Sequence, residues 1–149
     1  MSIGTDSAVT VPADVTRART LITWAGRSIV VIGAVHIALF TVKTWSRWGD
    51  WLGGELRGVA AVEDPANAAS LADFWAFLGG FAVPLIVLGL VLIRMARTGH
   101  EPPRYLGWTL GAWVLVSAWV LEPSGFLLGL VPTVLLLLAQ RGSAKPVRH

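Results

Sequence analysis

The chain has 149 residues, 54% of them hydrophobic and 14% charged, with a mean hydropathy of +0.65. Soluble globular chains carry roughly 25% charged residues, so the composition argues against a soluble enzyme, a secreted module or a disordered chain. The net charge of +3 is scattered over segment ends rather than gathered into a patch, which disfavours a nucleic-acid partner. The chain has no cysteine, which removes disulfides, thiolate metal sites and thiol redox chemistry.

Residues 1–20 read as a polar N-terminal tail, carrying Asp6, Asp14, Arg17 and Arg19 and lacking helical periodicity up to Pro12. The first apolar run comes late and is long, unlike the early, short run of a signal peptide. A membrane-crossing helix needs about 20 mostly apolar residues. Four segments meet or approach that length, at about 22–42, 74–93, 105–121 and 126–141, and residues 142–149 form a polar C-terminal tail. The expected fold is therefore an all-α membrane protein, a four-transmembrane-helix bundle. Pro84 and Pro132 are expected to kink their helices, because each removes one backbone donor.

Orientation is set by Lys and Arg counted by side. Arg17, Arg19, Arg27, Arg94, Arg97, Arg104, Arg141, Lys145 and Arg148 fall on one face, and Lys43, Arg47 and Arg57 on the other. Both termini are then expected in the cytoplasm. Ten of the twelve basic residues are arginine, a bias of GC-rich bacterial genomes, so a bacterial inner membrane is the expected location.

The loop between spans one and two is about 30 residues long. Trp45, Trp48, Leu52, Leu56 and Val59 recur at spacings of three and four, with Arg47, Asp50, Gly54 and Arg57 on the opposite face. That pattern suits a short interfacial helix, read either as an aromatic anchor or as a lid over an outward-facing pocket. Gly53-Gly54 weakens it, since glycine costs about 1 kcal/mol in a helix. Next, Ser70-Leu-Ala-Asp73 matches a capping box, with Ser70 expected to accept a free backbone N–H and Asp73 to complement the helix dipole. Glu122-Pro123-Ser124-Gly125 reads as a tight turn. Gly107-x-x-x-Gly111 and Gly125-x-x-x-Gly129 allow close helix approach, read as internal packing.

His36 is the one imidazole at membrane depth. It shares a stripe with Phe40 and Lys43, while Asp73, Phe77, Gly80 and Pro84 share another, and Trp108, Leu115, Trp119 and Glu122 a third. Inward-facing stripes would gather His36, Asp73, Trp75, Trp119 and Glu122 into a polar-aromatic, ligand-binding cluster in the outer half. The plainer alternative is a histidine that satisfies itself on a neighbouring helix. No cofactor is expected. Haem would need two axial histidines in the bundle, and His100 and His149 lie in the cytoplasmic segments. No metal set, phosphate loop or nucleophile motif stands out, so no catalytic residue is assigned.

Gly33-x-x-His36, Asp73-Phe-Trp-Ala-Phe-Leu-Gly-Gly80 and Glu122-Pro-Ser-Gly-Phe126 resemble an uncharacterised family of small bacterial four-span membrane proteins, over residues 24–139. The resemblance implies the architecture and no chemistry. Any likeness to four-span sterol isomerases or to DoxX-like membrane proteins is architectural only, and fold analogy carries no function. The expected function is non-enzymatic binding of a lipophilic small molecule, lipid or partner helix through the outer cluster. The alternative is a membrane enzyme or enzyme subunit acting on an isoprenoid-type or quinone-type substrate, with His36 and Glu122 as acid and base. A transporter is a third reading, one that requires oligomerisation.

Overall fold

The computed structural model describes residues 12–121 and 125–142, and among them it is all-helical with no strand. Seven α-helices succeed one another: α1 Ala13–Lys43, α2 Trp48–Gly53, α3 Val59–Glu63, α4 Ala68–Ala76, α5 Ala82–Thr98, α6 Tyr105–Val120 and α7 Leu130–Gly142. Short 3-10 turns stand before α2, α4 and α7, at Trp45–Arg47, Pro65–Asn67 and Gly125–Gly129.

Helix α1 begins directly after Pro12, so residues 13–20 belong to a helix rather than to the expected tail. Its 31 residues span roughly 46 Å, well over the about 30 Å of a bilayer core. With a mean hydropathy of 1.8 in its apolar stretch, it is the one helix among the described residues long and apolar enough to cross a membrane. Tyr105–Val120 and the helical run Gly125–Arg141 are apolar but shorter.

The expected second span, residues 74–93, is interrupted. Helix α4 stops at Ala76, residues 77–81 form a turn, and α5 starts afresh at Ala82. The reason lies in Gly79 and Gly80. A Cβ on Gly79 would sit 2.7 Å from Phe74 Cε1, and one on Gly80 2.5 Å from the Trp75 carbonyl oxygen. Only glycine permits the chain to fold back this closely on the last turn of α4. Neither proline is placed where a kink was expected. Pro84 is the third residue of α5 and Pro132 the third of α7. In the first turn of α5 the missing N–H of Pro84 has no intrahelical partner to lose, and Pro132 sits where the 3-10 turn Gly125–Gly129 passes into α7.

The chain divides into two compact units, one made by the residues up to Ala25 and from Ile93 onward, the other by Gly26–Leu92. In the first, α6 and α7 pack closely. Gly107 meets Leu136 and Leu137, Gly111 meets Thr133, and Gly129 meets Val114. The small residues thus serve an internal helix contact, as expected for Gly107 and Gly111. Leu110, Val114, Leu136 and Ala139 form its core, and Trp113 meets Phe126 edge-on at 5.4 Å.

In the second unit, α1 and α5 approach backbone to backbone. A Cβ on Gly89 would lie 2.6 Å from the Gly26 carbonyl oxygen, and one on Gly33 2.6 Å from Ile86 and 3.1 Å from the Ala82 carbonyl oxygen. Phe77, Ala82, Ile29 and Leu92 are its buried apolar residues. Gly89→Ala is therefore expected to lower stability by about 1–3 kcal/mol, the usual cost of overpacking. Gly49→Ala in α2, with nothing within 4 Å of the new methyl, is expected to be neutral or to gain up to about 1 kcal/mol. Thermal unfolding of the two variants in detergent checks the opposite signs.

Candidate functional site

The expected interfacial helix exists only in pieces. After the turn Trp45–Arg47, α2 runs for six residues and ends where Gly54 takes a left-handed φ of +95°. That conformation is open to glycine and strained for other side chains. The chain reverses there, which turns Trp51 toward α4 while Trp45, Leu52 and Val59 stay exposed.

Helix α4 presents Ser70, Asp73 and Phe74 at helical spacing, with Phe77 just past its end, and the loop is tied to that stripe. Ser70 is buried, and its hydroxyl donates to Glu55 Oε2 at 2.6 Å and accepts from Trp51 Nε1 at 2.9 Å. Arg47 Nε lies 3.7 Å from Asp73 Oδ2, with both side chains about a third exposed. These contacts replace the expected capping box. The helix begins two residues before Ser70, behind a 3-10 turn whose cap is Asp64, accepting from the Ala66 N–H at 2.8 Å. Ser70 is thereby left free to anchor the loop, and Asp73 answers an arginine rather than a helix dipole. Asn67 Nδ2 donates to the Ala61 carbonyl at 3.0 Å and closes the loop upon itself.

His36 faces the interruption after α4. Its Nε2 is 2.8 Å from the Ala76 carbonyl oxygen, which has no following turn of helix to receive. A carbonyl only accepts, so Nε2 carries the proton and donates. The imidazole stacks on Phe40 at 4.4 Å and tilts against Phe81 at 5.2 Å. One turn earlier on the same face, Gly33 lies against Ala82, the first residue of α5. The Gly33-x-x-His36 motif thus touches both edges of the break.

Of the five residues expected to bind a ligand, three fall in the second unit, with different tasks: His36 closes the end of α4, Asp73 holds Arg47, and Trp75 lines a cleft. Trp119 belongs to the first unit and is 87% exposed. Glu122 lies outside the described residues. The lining of a cleft under the loop, where one of the two readings put a pocket, is what pattern reading missed. The cleft has a volume of about 270 Å³ and is lined by Trp51, Leu56, Arg57, Val62, Leu71, Phe74 and Trp75. Aromatic contacts run along its wall, Trp51 meeting Phe74 edge-on at 5.9 Å and Phe74 meeting Trp75 at 5.8 Å. Helical periodicity carried across Gly53-Gly54 hid it, because that periodicity assigned Leu56 and Arg57 to opposite faces of a helix that ends at Gly53. Those two glycines were the available signal.

A larger concavity of about 500 Å³ lies in the first unit among Ala13, Asp14, Arg17, Ala18, Leu21, Leu138, Ala139 and Arg141. No group of three His, Asp or Glu side chains suited to a metal occurs among the described residues. Trp48 Nε1 is a buried donor with no acceptor among them.

Two substitutions separate the roles. His36→Phe keeps the ring stack but leaves the Ala76 carbonyl without its donor, an expected loss of about 1–3 kcal/mol. Amide exchange in residues 77–81 should accelerate. Ser70→Ala removes both side-chain bonds at the loop anchor and should red-shift Trp51 emission while leaving exchange in 77–81 unchanged.

A family model described as a family of unknown function, DUF6463, matches residues 20–143. No curated protein and no solved structure matches the chain.

Proposed function

The chain belongs to the DUF6463 family, whose description carries no activity, and we propose that it is a non-enzymatic, four-span integral membrane protein of the bacterial inner membrane that binds a lipophilic molecule in the cleft between the loop and α4. Both termini are then cytoplasmic and the loop is periplasmic.

Exposed apolar side chains at helical spacing support the membrane reading. Val31, Val35, Leu39 and Val42 form one such stripe on α1, and Val83, Val87, Leu90 and Val91 another on α5. Leu115, Val116, Trp119 and Val120 form a third on α6, and Val131, Val134 and Leu138 a fourth on α7. Water is a poor solvent for four such stripes, and lipid a good one. In this reading α4, the turn and α5 together make the second crossing, as a broken helix. A break is tolerated at membrane depth where protein satisfies the freed backbone groups, and His36 does that for Ala76.

The binding reading is carried by the cleft itself: six apolar or aromatic side chains and one cation around about 270 Å³, held open by the Trp51–Ser70–Glu55 anchor. Small-molecule sites have this make-up, a mostly apolar lining with few polar groups. The acid–base alternative gains no support, because His36 Nε2 is engaged by a backbone carbonyl and Glu122 lies outside the described residues.

Two measurements test the proposal. Reporter fusions after Arg97 and at the C-terminus should report cytoplasm, and one near Pro65 the periplasm. A periplasmic C-terminus would mean an odd number of crossings. Native mass spectrometry of the purified protein should show a co-purifying lipophile that is lost in Trp75→Asp with the helical signal retained. Equal retention in that variant would remove the cleft as the binding site.

A further inference from the structure

We propose that the occupant of this cleft is a single-chain amphiphile with an anionic head group, a long-chain carboxylate, whose head is bound by Arg57. The inference rests on the reading that the cleft takes a lipophile, and goes on to name its class. Three observations point to it.

Volume comes first. At about 270 Å³ the cleft falls just below the roughly 300–1,000 Å³ of small-molecule sites, which suits one extended chain rather than a pair.

Charge is the second observation. Arg57 is the one ionisable residue of the lining, and no carboxylate among the described residues lies within ion-pair distance of it. Glu55, two residues away, is engaged by the Ser70 hydroxyl. Arg47, the other loop arginine, already faces Asp73. The guanidinium fork matches a carboxylate in bidentate fashion, and such charge-assisted bonds are stronger than neutral ones. A neutral chain seated in the cleft would leave that fork to solvent alone.

The third observation is placement. Gly54 adopts φ +95°, and a Cβ there would lie 2.9 Å from Arg57 Cδ and 3.1 Å from Nε. The arginine therefore lies across the bare backbone of the turn that ends α2. A side chain at position 54 would be strained and would push the arginine away. The same glycine that breaks the expected helix thus gives the guanidinium its seat beside the apolar wall.

The test uses the full chain in nanodiscs of phosphatidylcholine, with a palmitate analogue bearing a mid-chain diazirine as the photoprobe. Cross-links are mapped by peptide mass spectrometry, and labelling is competed with unlabelled palmitate or with hexadecanol. We expect cross-links within residues 51–75, with palmitate competing about tenfold better than the alcohol, a difference equal to one decade of affinity. Arg57→Gln should abolish that difference and Arg57→Lys should keep part of it, each with an unchanged helical signal, since Arg57 is exposed. If acid and alcohol compete equally and Arg57→Gln changes nothing, the head-group assignment is overturned while the cleft remains a lipophile site. If no cross-link falls within 51–75, the cleft reading itself fails and this inference falls with it. An alcohol that competes better than the acid overturns the carboxylate class in the same way.

Discussion

A backbone carbonyl left open where a helix stops needs a donor, and in this protein the donor is His36. The bond from Nε2 to the Ala76 carbonyl closes α4 at the point where Gly79 and Gly80 fold the chain back. A part-buried carbonyl left without its donor costs about 1–3 kcal/mol, so the histidine supports the interruption. Gly33, one turn away on α1, admits the start of α5 with the same economy of space. The short motif Gly33-x-x-His36 is best understood as the socket for a broken helix. One nitrogen of the imidazole is thereby committed to a structural bond.

The break makes α4 independent. As a nine-residue helix separate from α5, it turns Ser70, Asp73 and Phe74 toward the loop, with Phe77 just past its end. The loop answers with Trp51 and Glu55 at Ser70, with Arg47 at Asp73, and with Trp48 against Phe77 at 5.7 Å. Buried Ser70 matters most among these, because removing it would strand an indole N–H and a carboxylate together. The cleft is a consequence of that fastening. Its floor is α4 and its far wall is the reversed chain after Gly54. The shape of the cleft thereby depends on how the loop is anchored.

The all-helical class was legible in the sequence, as were the apolar part of α1 from about residue 22, the apolar α6 and α7, and the internal packing role of Gly107 and Gly111. Length and apolarity alone decide such elements. The break after Ala76 was hidden because residues 74–93 carry no charge, so hydropathy runs through it unmarked. Gly79-Gly80 was the signal, outweighed by the apolar run around it. The capping-box reading of Ser70 failed for a related reason: Asp64-Pro65 starts a 3-10 turn earlier, and a serine inside a helix is free to serve another segment. The need of His36 for a partner was legible too, and the partner proved to be a backbone carbonyl exposed by a break that periodicity could not show. Of the expected ligand-binding residues, Trp75 alone lines the cleft, since membership depends on where the loop reverses.

The broken helix stands or falls with the proton that His36 places on Nε2. Nitrogen NMR of the ring, with histidine labelled and the protein in lipid bilayers, reads this without mutating anything. A protonated Nε2 engaged in a hydrogen bond, with a through-space contact to the Ala76 carbonyl carbon, is the predicted result. A bare Nε2 with the proton on Nδ1, and no contact to residue 76, would contradict it. The break after α4 would then need another donor, and the placement of α4 against the loop would lose its foundation.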